Sequence, residues 1–202
     1  VHVAGVPAAP VAAPFGVLVV CTANICRSPV AEALLTRALA SSGEVRVASA
    51  GLHALPGRPL AAEMARLLDD PVPAFTARQL TAELVRAADL VLVMTRDQRA
   101  ALVGAVPAAV RRTFTFREFA GLAVLAGPTG TGLAGSTGGE RLAELTRLAP
   151  RLRASRPTGA VDDIDDPYGR GDAAFVTAMA QIRQSVADIA GAVTGPGRDT
   201  SG

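Results

Sequence analysis

Two periods of hydrophobic residues alternate along the chain. Phe15-Gly16-Val17-Leu18-Val19-Val20 and Asp89-Leu90-Val91-Leu92-Val93-Met94 are short, nearly unbroken apolar runs. Runs of this kind predict strands buried on both faces. Glu44 to Ser49, where Val45 and Val47 alternate with polar residues, and Arg112 to Phe116 predict two more strands. Between the strands, apolar residues recur every three or four positions. Val30, Ala33, Leu34 and Ala38 follow Pro29, which suits a first helical position, with Ser28 as a cap. Further helices are predicted over Leu60 to Asp69, closed by Pro71 and Pro73, over Ala82 to Ala87, and over Arg96 to Val103. The last, Asp172 to Gly191, places Phe175, Ala178, Met179, Ile182, Val186 and Ile189 on one face. Strands alternating with helices predict a doubly wound α/β fold with a parallel sheet flanked by helices.

Some stretches break the pattern. Residues 1–14, rich in Ala, Pro and Val, read as a flexible leader, and 193–202 as a polar tail. Gly121 to Gly139 is rich in Gly, Thr and Ala and reads as a flexible insertion. A helix over Glu140 to Leu148 is the one element predicted inside the larger insertion, 121–160.

Composition narrows the function. A chain of 202 residues, half of them hydrophobic, is expected to form a single domain, 15–192. The net charge of +2 argues against a nucleic-acid surface, and 3% aromatic residues argue against base stacking. All 20 cations are arginines, so their positions are informative and their number is not. No apolar run approaches the roughly 18 residues of a membrane span, and the N-terminal stretch lacks a basic start. Two cysteines five positions apart are too few for a disulfide framework and point to a reducing, cytoplasmic setting. Neither a metal nor a cofactor is expected.

The chemistry concentrates in Cys21-Thr22-Ala23-Asn24-Ile25-Cys26-Arg27-Ser28-Pro29, between the first strand and the first helix. A loop at a helix N-terminus offers unpaired amides and a favourable dipole to an anion. A thiol reacts as its thiolate, which the same surroundings favour, and Ser28 can donate a hydrogen bond to sulfur. Arg27 can hold two phosphate oxygens at once. The spacing Cys-x5-Arg also fits two inert buried cysteines. Cleaving a phosphate ester further requires an acid for the leaving group. Asp162-Asp163-Ile164-Asp165-Asp166-Pro167-Tyr168 supplies candidates, Asp166 foremost because Pro167 stiffens its backbone and Tyr168 offers an aromatic wall. Taken alone, that segment also reads as a solvated acidic loop.

Together these motifs resemble the low-molecular-weight protein tyrosine phosphatases. The resemblance runs through Val17-Leu18-Val19-Val20-Cys21 to Ala31-Glu32, then Ser49-Ala50-Gly51-Leu52, Ala77-Arg78-Gln79-Leu80, Ala88 to Thr95 and Asp166-Pro167-Tyr168, in the family's order. It covers residues 15–120 and 162–191. It implies a four-stranded parallel sheet and a protein-tyrosine phosphatase acting through a phosphocysteine. On that resemblance Cys21 is the nucleophile, Arg27 binds phosphate, and Asp166 is the general acid and then the base. Thr22, Ala23, Asn24, Ile25, Cys26 and Ser28 form the phosphate loop, with Ser49 supporting it. Leu55 and Tyr168 line the substrate pocket. Cys26 matches a second loop cysteine able to form a reversible disulfide with the nucleophile.

Departures from the family's pattern sharpen the expectation. Ala23 replaces a glycine and would be strained if its φ were positive. Phe75 stands where many members carry a basic residue or histidine, and a supporting polar contact is expected to be missing. The run Ser49 to Leu55 resembles the bacterial branch paired with tyrosine kinases of exopolysaccharide export, which implies a phosphotyrosine protein, such as one of those kinases, as partner. His53 reads as a loop residue. Ile25 stands where protein-arginine phosphatases carry Thr. The alternatives are an arsenate reductase using an external low-molecular-weight thiol and a non-catalytic phosphopeptide-binding module. The thioredoxin-coupled kind of reductase needs two more cysteines than this chain has.

Overall fold

The computed structural model describes residues 13–42, 44–72, 74–127, 133–157 and 161–194. The leader expected over 1–14 and the tail expected over 193–202 thus lie almost wholly outside the described residues. Four strands, β1 (Phe15–Cys21), β2 (Val45–Gly51), β3 (Leu90–Val93) and β4 (Thr113–Thr115), form one parallel sheet in the order β2-β1-β3-β4. The connections carry helices α1 (Arg27–Ala38), α2 (Ala62–Ala65), α3 (Ala82–Ala87), α4 (Arg96–Ala105), α5 (Phe116–Ala126) and α6 (Gly138–Leu152), and α7 (Asp172–Thr194) closes the described chain.

The two-residue side-chain period of the strands divides the core. Val17, Val19, Leu90, Leu92 and Phe114 face a large cluster with residues of α1, α5, α6 and α7. Leu18, Val20, Val91 and Val93 face a smaller one with Val85 of α3 and Leu102 of α4. Helices on both faces explain why these strands read as continuous apolar runs. The order also fixes where a ligand binds. The chain leaves β1 to build β2 on one side and β3 on the other, and crevices at the carboxyl ends of strands open at such a reversal. The loop after β1 lies there.

Three local expectations require correction. The helix expected over Leu60 to Asp69 shrinks to the single turn α2. The chain beyond it tightens to three-residue bonds, Leu67 N to Met64 O and Leu68 N to Ala65 O. Arg183 of α7 captures the Leu67 carbonyl at 2.8 Å and Asp69 at 2.7 Å, competing for groups a longer helix needs. Next, Phe116 belongs to a helix and not to a strand. Thr115 caps α5 in a reciprocal capping box with Glu118. Finally, the stretch 121–160 is not a flexible spacer through its length. Leu122, Ala123 and Ala126 finish α5 inside the core, and Leu142 and Leu145 of α6 are fully buried. Each such leucine contributes about 1.5–3 kcal/mol, so α6 is part of the body of the domain. Residues 128–132 and 158–160 lie outside the described ones.

β2 ends on a glycine for a steric reason. A Cβ on Gly51 would lie 2.6 Å from the Thr22 carbonyl oxygen and 3.0 Å from the Asn24 nitrogen. Both are backbone atoms of the loop after β1 and cannot swing aside. Gly51→Ala is therefore predicted to cost on the order of 1–3 kcal/mol of stability and to displace the loop, lowering the melting temperature and turnover together. A variant that matches the parent in both measurements would rule out this close approach.

Candidate active site

Backbone geometry builds the site first. In the loop after β1 the carbonyls face outward and are taken up by the following chain: Cys21 O accepts from Leu52 N, Thr22 O from His53 N, Ala23 O from Leu55 N and Ile25 O from Ala61 N. The amides of Ala23, Asn24, Ile25, Cys26 and Arg27 donate to no protein group among the described residues. Carbonyls pinned outward with amides left open make a concave nest for an anion, at the mouth of α1. The left-handed turn that shapes it belongs to Asn24, whose φ is 56°. Ala23 is not among the described non-glycine residues with positive φ, so its replacement of glycine carries no strain of that kind.

Asn24 holds its unusual backbone with its side chain. Its Nδ2 donates to Ser28 Oγ and to Ser49 Oγ, both at 2.9 Å, and its Oδ1 accepts from Arg78 N at 2.9 Å. Ser49 Oγ in turn donates to Glu32 Oε2 at 2.6 Å. A proton inventory then fixes one direction. Asn24 spends both amide hydrogens and Ser28 Oγ receives one of them, so the Ser28 hydroxyl is left to donate to Cys21 Sγ, 2.9 Å away. Ser28 is thus not the helix cap. The cap position is Cys26, with no side-chain bond, and Pro29 falls third in α1. At the other end of the loop, Gln98 of α4 accepts from Met94 N at 2.9 Å and donates to Thr22 Oγ1 at 3.0 Å.

Arg27 is buried. Nη1 donates to Ile164 O at 2.9 Å, while the buried Nε has no partner among the described residues. Nη2 pairs with Asp166 Oδ2 at 2.7 Å. The Nε–Nη2 edge is the one that grips a carboxylate or phosphate with two parallel bonds. One side of that fork now rests on a half-exposed carboxylate that can swing away. Asp166 reaches the site because its segment is anchored just before it. Ile164 N donates to Met94 O beyond β3, Arg96 N donates to Asp163 Oδ1, and Arg156 holds Asp162 through two bonds.

Burial, then the neighbouring Cys21 and Asp166, push the Cys26 thiol up to about 12. Cys26 therefore keeps its proton at neutral pH. Brief iodoacetate treatment at pH 7 is predicted to alkylate Cys21 and spare Cys26, and phosphate is predicted to protect. Peptide mapping checks this, and modification at Cys26 first would contradict it.

A cavity of about 120 Å³ joins these parts. It is lined by Cys21, Ala23, Ile25, Cys26 and Arg27 from the loop and by Leu55, Asp166 and Tyr168 opposite. Leu55 and Tyr168 are exposed apolar walls at the mouth. Thr22, Asn24, Ser28 and Ser49 stand behind the cavity and hold its floor, and His53 lies in an exposed loop. The structure therefore gathers every expected site residue in or directly behind one pocket. Four supporting residues, Glu32, Arg78, Gln79 and Gln98, were not assigned a role from the sequence. Gln79 holds the 52–54 segment by accepting from Ala54 N and donating to Leu52 O. Of the four, all but Gln98 sat inside the matched motifs.

Comparisons with known proteins bear on the family and the fold. Residues 16–125 match the family described as low molecular weight phosphotyrosine protein phosphatase. The probable low molecular weight protein-tyrosine-phosphatase EpsP of Ralstonia solanacearum is 33% identical over 173 residues, spanning 84% of this chain and 90% of that protein. The Wzb phosphatase of Salmonella typhi is 46% identical over 94 residues, 45% of this chain and 61% of that one. Among solved structures, the YwlE arginine phosphatase of Geobacillus stearothermophilus superposes with a TM-score of 0.64 at 26% identity, covering 88% of this chain and 91% of that one. The Erwinia amylovora tyrosine phosphatase AmsI gives 0.62 at 25% identity, covering 91% and 95%.

Proposed function

The chain belongs to the low molecular weight phosphotyrosine protein phosphatase family, and from that premise we propose that it hydrolyses phosphotyrosine in proteins through a phosphocysteine on Cys21. The nest of five open amides beside the unpartnered Nε of Arg27 is the observation that carries this reading. An equatorial set of phosphoryl oxygens needs converging donors, and donors fixed in advance stabilise the charge of the transition state without reorganising.

The steps follow from the groups present. The phosphate dianion takes the Nε–Nη2 edge and displaces Asp166 from Arg27. A carboxyl next to that dianion is favoured in its protonated form by charge repulsion. Cys21 sulfur attacks phosphorus as the ester P–O bond breaks, and Asp166 gives its proton to the departing phenolate oxygen. Asp166, now a carboxylate, takes a proton from a water that attacks phosphorus, and the P–S bond breaks to release inorganic phosphate and the thiolate. Ser28, with its hydrogen directed at Cys21, stabilises the sulfur anion at both ends of the cycle.

The walls support tyrosine as the ester. Ile25, Leu55 and Tyr168 are apolar and would flank an aromatic ring between the nest and solvent. The expected partner is a phosphotyrosine protein such as a bacterial tyrosine kinase, a reading supported by the likeness to EpsP and Wzb. Two free thiols at one site stay reactive only where reductants prevail, which supports a cytoplasmic setting. No described helix is long and apolar enough to cross a membrane. Matched peptides bearing phosphotyrosine or phosphoarginine test the substrate. kcat/KM is expected to favour phosphotyrosine by about tenfold or more, and a preference for phosphoarginine would overturn this assignment.

A further inference from the structure

A second cavity opens along α1 and shares no lining residue with the first. It encloses about 240 Å³, room for a single small ring. Glu32, Ala33, Thr36 and Arg37 of α1 form one wall, and Val72 and Phe75 face them. The lining is mostly apolar apart from two charged side chains, and these are unequally committed. The Arg37 guanidinium is drawn off to Asp70, pairing with its carboxylate and donating to the carbonyls of Asp70 and Pro71. Its aliphatic stem is what remains for the cavity. Glu32 keeps one carboxylate oxygen, Oε1, without a partner among the described residues. An apolar cleft with one uncommitted carboxylate oxygen complements a small flat cation.

The other oxygen of the same carboxylate belongs to the catalytic loop. Glu32 Oε2 receives the Ser49 hydroxyl, Ser49 Oγ receives Asn24 Nδ2, and Asn24 also donates to Ser28. Glu32 fixes the Ser49 hydrogen, which leaves Ser49 Oγ free to accept from Asn24, and the other Asn24 amide hydrogen leaves Ser28 to donate to Cys21. We infer that this cavity is a regulatory site for a small aryl or alkyl cation that binds Glu32 and acts on Cys21 through Ser49, Asn24 and Ser28. A cation on Oε1 withdraws charge from the carboxylate, weakens its hold on the Ser49 hydroxyl, and through Asn24 weakens the hydrogen that Ser28 gives Cys21. Occupancy therefore lowers turnover without entering the substrate pocket. Only this effect on turnover rests on the hydrolase reading; binding does not.

Benzamidine is the probe, titrated into the full chain by calorimetry and, separately, into a p-nitrophenyl phosphate assay. Saturable binding that inorganic phosphate does not displace is expected. With it, kcat is expected to fall by roughly twofold or more at constant KM. Ala33→Leu, which fills the cavity and replaces no residue bonded to the loop, is expected to abolish both effects and keep the basal rate. Glu32→Gln is expected to raise the dissociation constant by about tenfold or more. Absence of saturable binding, displacement by phosphate, or binding that survives Ala33→Leu would overturn the inference. Calorimetry reads the site even in a protein that turns nothing over, so its result stands or falls apart from the hydrolase reading.

Discussion

Replacing Cys21 with serine is expected to abolish turnover of p-nitrophenyl phosphate, by on the order of 10⁴–10⁶-fold, while the fold and phosphate binding survive. The substitution changes one atom in a site whose other parts do not depend on it. The open amides belong to the backbone, and Asn24, Ser49 and Glu32 hold that backbone through bonds that do not involve sulfur. Phosphate therefore still finds its nest. Attack fails because a serine hydroxyl keeps its proton at neutral pH, and among the described residues no base is bonded to this position to remove it. Among them, the one side chain bonded to Cys21 Sγ is Ser28, itself a donor there. Cys26 cannot take over, since burial keeps its thiol protonated. Kinetics under reducing conditions, paired with phosphate titration by calorimetry, check both halves. Retained turnover would remove Cys21 from the reaction.

Asp166→Asn is expected to lower kcat by roughly 10²–10⁴-fold, and to do so unevenly across substrates. Asparagine keeps the shape of the side chain and can still accept from Tyr168 N, as Asp166 Oδ1 does. It cannot deliver a proton to the leaving oxygen. Phenyl phosphate, with a poor leaving group, should lose more in the first step than p-nitrophenyl phosphate, whose phenolate departs unaided. Inorganic phosphate should bind at least as tightly as before. The carboxylate that now competes for Arg27 Nη2 at 2.7 Å would be gone, along with its repulsion of the dianion. Equal losses of kcat/KM, which reads the first step alone, or weaker phosphate binding, would show that Asp166 acts on Arg27 and not on the leaving group.

How much of this could be read from the chain varies with the range of the forces involved. β1 and β3 were legible because a strand buried on both faces leaves an unbroken apolar run. The loop from Cys21 to Pro29 was legible because its chemistry is local: a helix mouth, a thiol and a guanidinium within seven residues. The capping boxes Thr115–Glu118 and Thr137–Glu140 are equally local, but the first is masked by the β-branched and aromatic run Thr113 to Phe116 and the second by the Gly, Ala and Thr around it. The failure over Leu60 to Asp69 has a different origin. The competitor for its carbonyls is Arg183, more than a hundred residues away. Ala23 raised a concern about backbone strain that belongs to its neighbour, since Asn24 makes the left-handed turn. Glu32 and Gln98 reach the loop from helices, and their partners Ser49 and Thr22 are known only after the sheet is assembled.

The proposed reaction turns on a covalent bond between phosphorus and Cys21. Asp166→Asn with p-nitrophenyl phosphate tests it most directly, because the first step needs no acid there while the second lacks its base. A burst of about one p-nitrophenol per protein is expected. An accumulated phosphoenzyme is expected with it, its added phosphoryl group mapping by mass spectrometry of rapidly quenched protein to Cys21. Steady hydrolysis without a burst, or a phosphoryl group on any other residue, would contradict it.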